Sequence, residues 1–171
     1  MARITTHQHV QAPLEQVFEY FVDFERYPEF MKGIRWARRD ESHEGAVRFR
    51  YGLVGIEREC SVVAEVDRER HSVSWYGVEG PRHTGTAVWR EVHANRCAVA
   101  LDVQVHPSDL VGVTGSVLGL LRTRIEHDLH RFASYVERET GNRPPEGADY
   151  RAPSERLFEK VFPIDDTQRH S

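Results

Sequence analysis

The 171-residue chain has no apolar run near the roughly 18 residues that a membrane-spanning helix needs. Its opening, MARITTHQHV, lacks the apolar stretch of a secretory signal, so the expected location is the cytoplasm. Cysteine is scarce: Cys60 and Cys97 fall inside strand-like runs and read as two buried, reduced thiols rather than a disulfide framework. The net charge is -4, and no segment gathers Lys and Arg with interleaved aromatics, which argues against a nucleic-acid partner. The ten histidines include no His-x-x-x-His pair with a carboxylate on one helix, so no metal ion and no cofactor are expected. Internal repeats and low-complexity runs are also missing.

What remains is an ordinary globular composition, 39% hydrophobic and 29% charged, at a length suited to one principal domain with a sizeable core. Residues 3–10 alternate, with Ile4, Thr6, Gln8 and Val10 on one face, and predict a strand. Ala12-Pro13 opens a helix whose Leu14, Val17, Phe18, Phe21 and Val22 share one face. A shorter turn in ERYPEFMKGI is broken by Pro28 and Gly33. Strands follow at 34–39, 46–53, 56–66, 71–78, 83–92 and 96–106, with connections short enough for an antiparallel meander that the first strand closes. From Ser116 a long helix keeps Leu118, Leu121, Ile125, Leu129, Phe132 and Val136 in one stripe.

The expected class is therefore α+β: a curved, antiparallel seven-stranded sheet gripping a long C-terminal helix, with two short helices after the first strand. Residues 1–140 form the cavity domain. Residues 141–171 comprise a Pro/Gly-rich linker and the amphipathic segment SERLFEKVF, which must dock on its own domain or on a partner subunit, so a homodimer is one open arrangement. LVGVTGSVLG, with Gly112, Gly115 and Gly119, is expected to act as a lid.

Period two assigns the faces of the strands. Phe49 and Tyr51, then Arg58, Cys60, Val62, Ala64 and Val66, point inward; Glu57, Glu59, Ser61, Val63 and Glu65 point to water. Trp75 falls with Gly77, and Trp89 with Gly85 and Ala87, so both indoles face the helix, with His83 on the same parity and Leu101 on the last strand. Small residues beside large ones on one face suggest a hollow for a flat apolar guest with oxygen functions. Aromatic core filler is the plainer alternative.

The segment VQAPLEQVFEYFVDFERYPEFMKGI at 10–34, the words AP and D-F-E-x-Y-P-E-F within it, VEGP before a Trp-bearing strand, and the long last helix resemble the Bet v 1-like, START-related (SRPBCC) superfamily of helix-grip proteins. Within it the chain looks most like the polyketide cyclase and aromatase/cyclase group. That resemblance implies a cavity in which a reactive poly-β-ketone is folded, cyclised by aldol chemistry and dehydrated. It also implies that Trp89 matches an indole of the family's pocket, while Ala64 and Ile34 stand where the family has its main arginine and a tyrosine; Arg58 is the substitute. The YPEF words are shared with the coenzyme Q-binding branch, which carries apolar molecules without reaction.

Two functions follow as expectations. As a cyclase or dehydratase, the chain would use Arg58 to stabilise an enolate or alkoxide, His83 as general acid/base and Tyr51 as hydrogen-bond donor. Trp75, Trp89, Phe49, Val62, Leu101, Leu121 and Ile125 would line the substrate, a small apolar or polyketide-like molecule. As a carrier, the same cavity would hold a quinone, lipid or metabolite unchanged.

Overall fold

A computed structural model of the protein describes residues 2–53, 56–106 and 117–142. Seven strands form one antiparallel sheet: β1 (Ala2–Val10), β2 (Ile34–Arg39), β3 (Ala46–Leu53), β4 (Ile56–Asp67), β5 (Ser72–Glu79), β6 (His83–His93) and β7 (Arg96–Val105). The strand order is β1-β7-β6-β5-β4-β3-β2, a six-stranded meander closed by the first strand, as the alternation predicts. Between β1 and β2 lie α1 (Leu14–Val22) and a 3-10 helix (Phe24–Glu29), and α2 (Val117–Glu139) follows the sheet. The lid glycines Gly112 and Gly115, and the whole of SERLFEKVF, lie outside the described residues.

α1 presents buried Val17, Phe18 and Phe21 to the sheet. The next turn is pinned by Tyr27, whose hydroxyl donates to the Phe21 carbonyl oxygen at 2.7 Å. The C-terminal half of α2 completes the core with Leu129, Phe132, Ala133, Tyr135 and Val136, each at most 6% exposed. Its N-terminal half does not: Leu121 and Ile125 are half-buried, and Leu118, expected in the buried stripe, is exposed. The apolar stripe outruns the surface available to cover it.

Two buried carboxylates tie α2 to the loops below. Glu137 accepts the Gln11 backbone N–H at 2.9 Å, and Asp128 accepts the Lys32 N–H and pairs with Arg131 at 3.0 Å. Burial pushes both carboxyls above their usual range. Ser61 corrects another expectation. On the outer face of β4 it is fully buried rather than wet, because the β2–β3 turn folds over it and its hydroxyl donates to Asp40. At the other end of the sheet order, β2 exposes Arg35, Arg38 and Arg39, and Arg38 stacks 4.1 Å from the ring centre of Trp36.

Candidate functional site

The concave face divides into a sealed half and an open half. In the sealed half Val10, Val73, Ala87, Trp89, Cys97 and Val99 are at most 1% exposed. In the open half Tyr51, Ala64, Trp75, His83 and Leu101 are only half-buried, as are Leu121 and Ile125 in the N-terminal half of α2. Solvent reaches these side chains, whereas it is shut out of the sealed half.

Both indoles face inward, as parity requires, yet they do not share one wall. Trp75 pairs with Gly85, and Trp89 lies four residues further along β6, about 13 Å away along the strand. Trp89 is packed edge-on by Phe18 at 5.2 Å and Phe21 at 4.6 Å, and its Nε1 is buried without a hydrogen-bond partner. It belongs to the core, and on its outer side it borders an open groove of about 630 Å³ shared with Pro13, Leu14, His71, Ser72 and Arg90. Phe49 and Val62, each 8% exposed, are core residues as well, Phe49 stacking on Tyr27 at 6.0 Å. The inward glycines leave no vacancy either. Gly85 makes room for the Trp75 ring, and Gly77 for the ring of His83.

Tyr51 and Arg58 are direct cross-strand partners on β3 and β4. Burial drives the Tyr51 phenol up to about 12, with the Arg58 charge pulling the other way, so at neutral pH it is a proton-bearing donor. Arg58 is exposed and forms no ion pair or hydrogen bond among the described residues. The outward arginines on the same strands are committed: Arg48 is bidentate on Glu79 at 2.9 and 3.0 Å and also bonds Glu59, and Arg50 bonds Glu57 at 2.8 Å. Ile34 and Ala64 pair with Tyr51 and Trp75 respectively. Cys60 sits two residues beyond Arg58, buried, its thiol pushed up to about 11 by desolvation and therefore unreactive.

His83 places Nδ1 2.8 Å from the Pro81 carbonyl oxygen. A carbonyl only accepts, so Nδ1 carries the hydrogen and the neutral ring keeps its lone pair on Nε2. The register separates His83 from Arg58. Gly77, on which His83 rests, lies beside Val62, four residues or about 13 Å along β4 from Arg58. Tyr51 and Arg58 therefore form one polar station and His83 with Trp75 a second, rather than one convergent cluster.

Outside the cavity, Asp40, His43 and Glu79 bring potential ligand atoms within 4.8 Å of one another. Arg48 already neutralises that group, with Nη1 3.7 Å from Asp40 and both Nη atoms on Glu79. Asp40 also accepts from Ser42 N–H and Oγ at 2.9 and 2.6 Å, and these bonds with that from Ser61 hold its carboxyl far below the usual carboxylate range. The site is a turn clasp. Sequence reading missed it because Asp40, Ser61 and Glu79 come from three separate segments.

Residues 1–137 match a protein family described as polyketide cyclase / dehydrase and lipid transport, and the chain belongs to that family. An uncharacterised 17.2 kDa protein of Streptomyces lincolnensis is 23% identical over 147 residues, covering 82% of this chain and 95% of the relative. Among solved structures, the Zhui aromatase/cyclase of a Streptomyces superposes with a TM-score of 0.67 at 14% identity, over 81% of this chain and 95% of its own. A START superfamily protein of Mycobacterium smegmatis gives 0.66 at 14% identity over 80% and 98%. A Thermus thermophilus protein gives 0.68 at 17% identity over 81% and 99%. At these identities the structural likeness establishes the fold. No helix among the described residues is long and apolar enough to cross a membrane.

Proposed function

We propose that the protein is a polyketide cyclase/dehydratase-like enzyme that binds a small polyketide or aromatic precursor in the open half of its concave face and promotes aldol closure and loss of water. The observation that carries this reading is the Tyr51–Arg58 pair: a neutral phenol beside an uncommitted guanidinium on the inner parity. Both groups suit a carbonyl oxygen of the bound chain, Tyr51 by donating a hydrogen bond and Arg58 by its fixed charge. His83, through Nε2, removes the proton from the carbon between two carbonyls. The resulting carbanion attacks the second carbonyl carbon, whose oxygen is protonated to the alcohol, and elimination of water then leaves the conjugated ring. The hollow contributes by holding a floppy chain in one folded arrangement.

Because about 13 Å of strand separates the two stations, His83 acts at the carbons that join, and Tyr51–Arg58 holds a carbonyl further along the same chain-like substrate. Arg58→Ala should lower turnover of a poly-β-ketone about a hundredfold, and Tyr51→Phe by a smaller factor, with circular dichroism unchanged. Wild-type turnover retained in both variants would end this reading.

The family's second named activity, lipid transport, supports a carrier reading, in which an apolar guest occupies the same hollow and leaves unchanged. Mass spectrometry of small molecules that copurify with the protein separates the two. An unmodified quinone or lipid at stoichiometric level favours carriage; a cyclised aromatic favours catalysis.

A further inference from the structure

The facing strands β5 and β6 carry two ring-on-glycine contacts that run in opposite directions. Trp75 on β5 lies over its partner Gly85 on β6: a Cβ built on Gly85 would fall 2.0 Å from Cζ2, 2.2 Å from Cε2 and 2.7 Å from Cη2 of the indole. Only a glycine lets the ring lie down on the backbone in this way. Two residues away along each strand, His83 on β6 rests the Nδ1–Cε1 edge of its imidazole on Gly77 of β5, at 3.0 and 3.2 Å from the corresponding Cβ position. The Pro81 carbonyl fixes that edge, and Nε2 has no partner among the described residues. Both side chains remain half-buried on the concave face, whereas Gly85 beneath the indole is buried.

An indole standing off the sheet would fill the hollow with its own length. Laid down on a glycine, it offers its face as a floor, and the adjacent imidazole supplies one hydrogen-bond acceptor at the margin. We propose that Trp75 and His83 form a stacking seat for a flat, fused-ring phenol, the ligand ring lying on the indole and its hydroxyl donating to Nε2 of His83, with Gly85 and Gly77 as the specificity-determining residues that set the depth of the seat. Stacking selects flatness, because a puckered saturated ring touches an indole face at few points. The acceptor selects a ring-edge donor over a bare hydrocarbon. The inference rests on the open half of the face being the ligand site, and it is independent of whether turnover occurs there.

The test is calorimetric titration with three probes of similar size: 2-naphthol, naphthalene and the saturated bicyclic alcohol 2-decalol. The wild-type protein should bind 2-naphthol about threefold to tenfold more tightly than either of the others. His83→Phe should retain naphthalene binding and lose the preference for 2-naphthol, while Trp75→Leu should lose the preference for flat probes over 2-decalol. Gly85→Ala should weaken both aromatic probes by displacing the indole. Because that change could also disturb folding, the Trp75→Leu result decides if the alanine variant is unfolded. Equal affinity for 2-naphthol and 2-decalol, or an undiminished 2-naphthol preference in His83→Phe, would overturn the proposal. A protein that binds 2-naphthol as described but converts no poly-β-ketone keeps the seat and loses the cyclase reading; conversion with no probe selectivity does the reverse.

Discussion

His9 is 5% exposed, and neither of its ring nitrogens finds a hydrogen-bond partner among the described residues. Burial, with the charges of Arg96 and His7 adding to it, lowers its pKa to about 4. Below the unfolded value near 6.5 an unfolded chain takes up a proton that the folded chain refuses until about pH 4. The stability held by the neutral ring is therefore complete above about pH 6.5 and is lost as pH falls through 4. His9→Leu should flatten the stability profile across that window in denaturant titrations at a series of pH values, while an unchanged acid slope would assign the loss to other groups. Residues of this kind resist sequence reading. Alternation gives the side of a strand, and it placed Trp75, Trp89 and Tyr51 on the concave side; depth depends on what covers each position. Trp89 is sealed by Phe18 and Phe21, which arrive from an element some seventy positions earlier. Gly85 is legible as a small residue, but its pairing with Trp75 exists only once the β5–β6 register is set.

α2 behaves as two helices of different attachment. Phe132→Ala in the sealed half removes a ring fully enclosed between Phe21 and Phe30 and should cost about 3–5 kcal/mol in chemical denaturation. Leu120→Ala in the exposed half should change stability by no more than about 0.5 kcal/mol. Amide exchange should follow the same division, with the 129–136 segment protected to the level of global unfolding and 118–125 opening more easily. The anchoring carboxylate adds a pH term. With its folded pKa raised, Glu137 contributes stability that is fully present below its unfolded pKa and lost as pH rises through the folded value. Glu137→Gln keeps an acceptor for the Gln11 N–H without a charge to desolvate, so it should match or exceed the parent at pH 7 and remove that slope; a marked loss of stability at pH 7 would contradict this. Element positions were largely open to sequence reading, since each strand ends at a turn residue and keeps period two. The stripe on α2 was not enough, because a periodic apolar row says that a helix has a face and not how far the sheet extends beneath it.

Across the whole molecule, the rings of Phe18, Phe21, Tyr27, Phe30, Phe49, Trp89 and Phe132 consolidate one half of the grip and release the other half from a structural role. That division suits a modest chain: one end supplies cohesion, and the other leaves Trp75, Tyr51 and His83 half-buried and Arg58 exposed, where the proposed ligand would sit. Family membership was readable from residues 10–34 because that stretch builds the sealed half, where packing restricts the choice of residue. The identity of the proposed ligand was not readable, because the open half is shaped by contacts between strands rather than by any one segment. β2 closes the sheet order with its outer edge unpaired among the described residues, and the exposed guanidiniums of Arg38 and Arg39 make that rim positive, while Arg35 is paired with Glu57 at 3.1 Å. Two molecules approaching rim to rim would bring four such positive charges together before a single backbone bond could form. Strand-by-strand growth into fibres is thus opposed by a border of like charge, at the place where an antiparallel sheet would otherwise invite another copy to join.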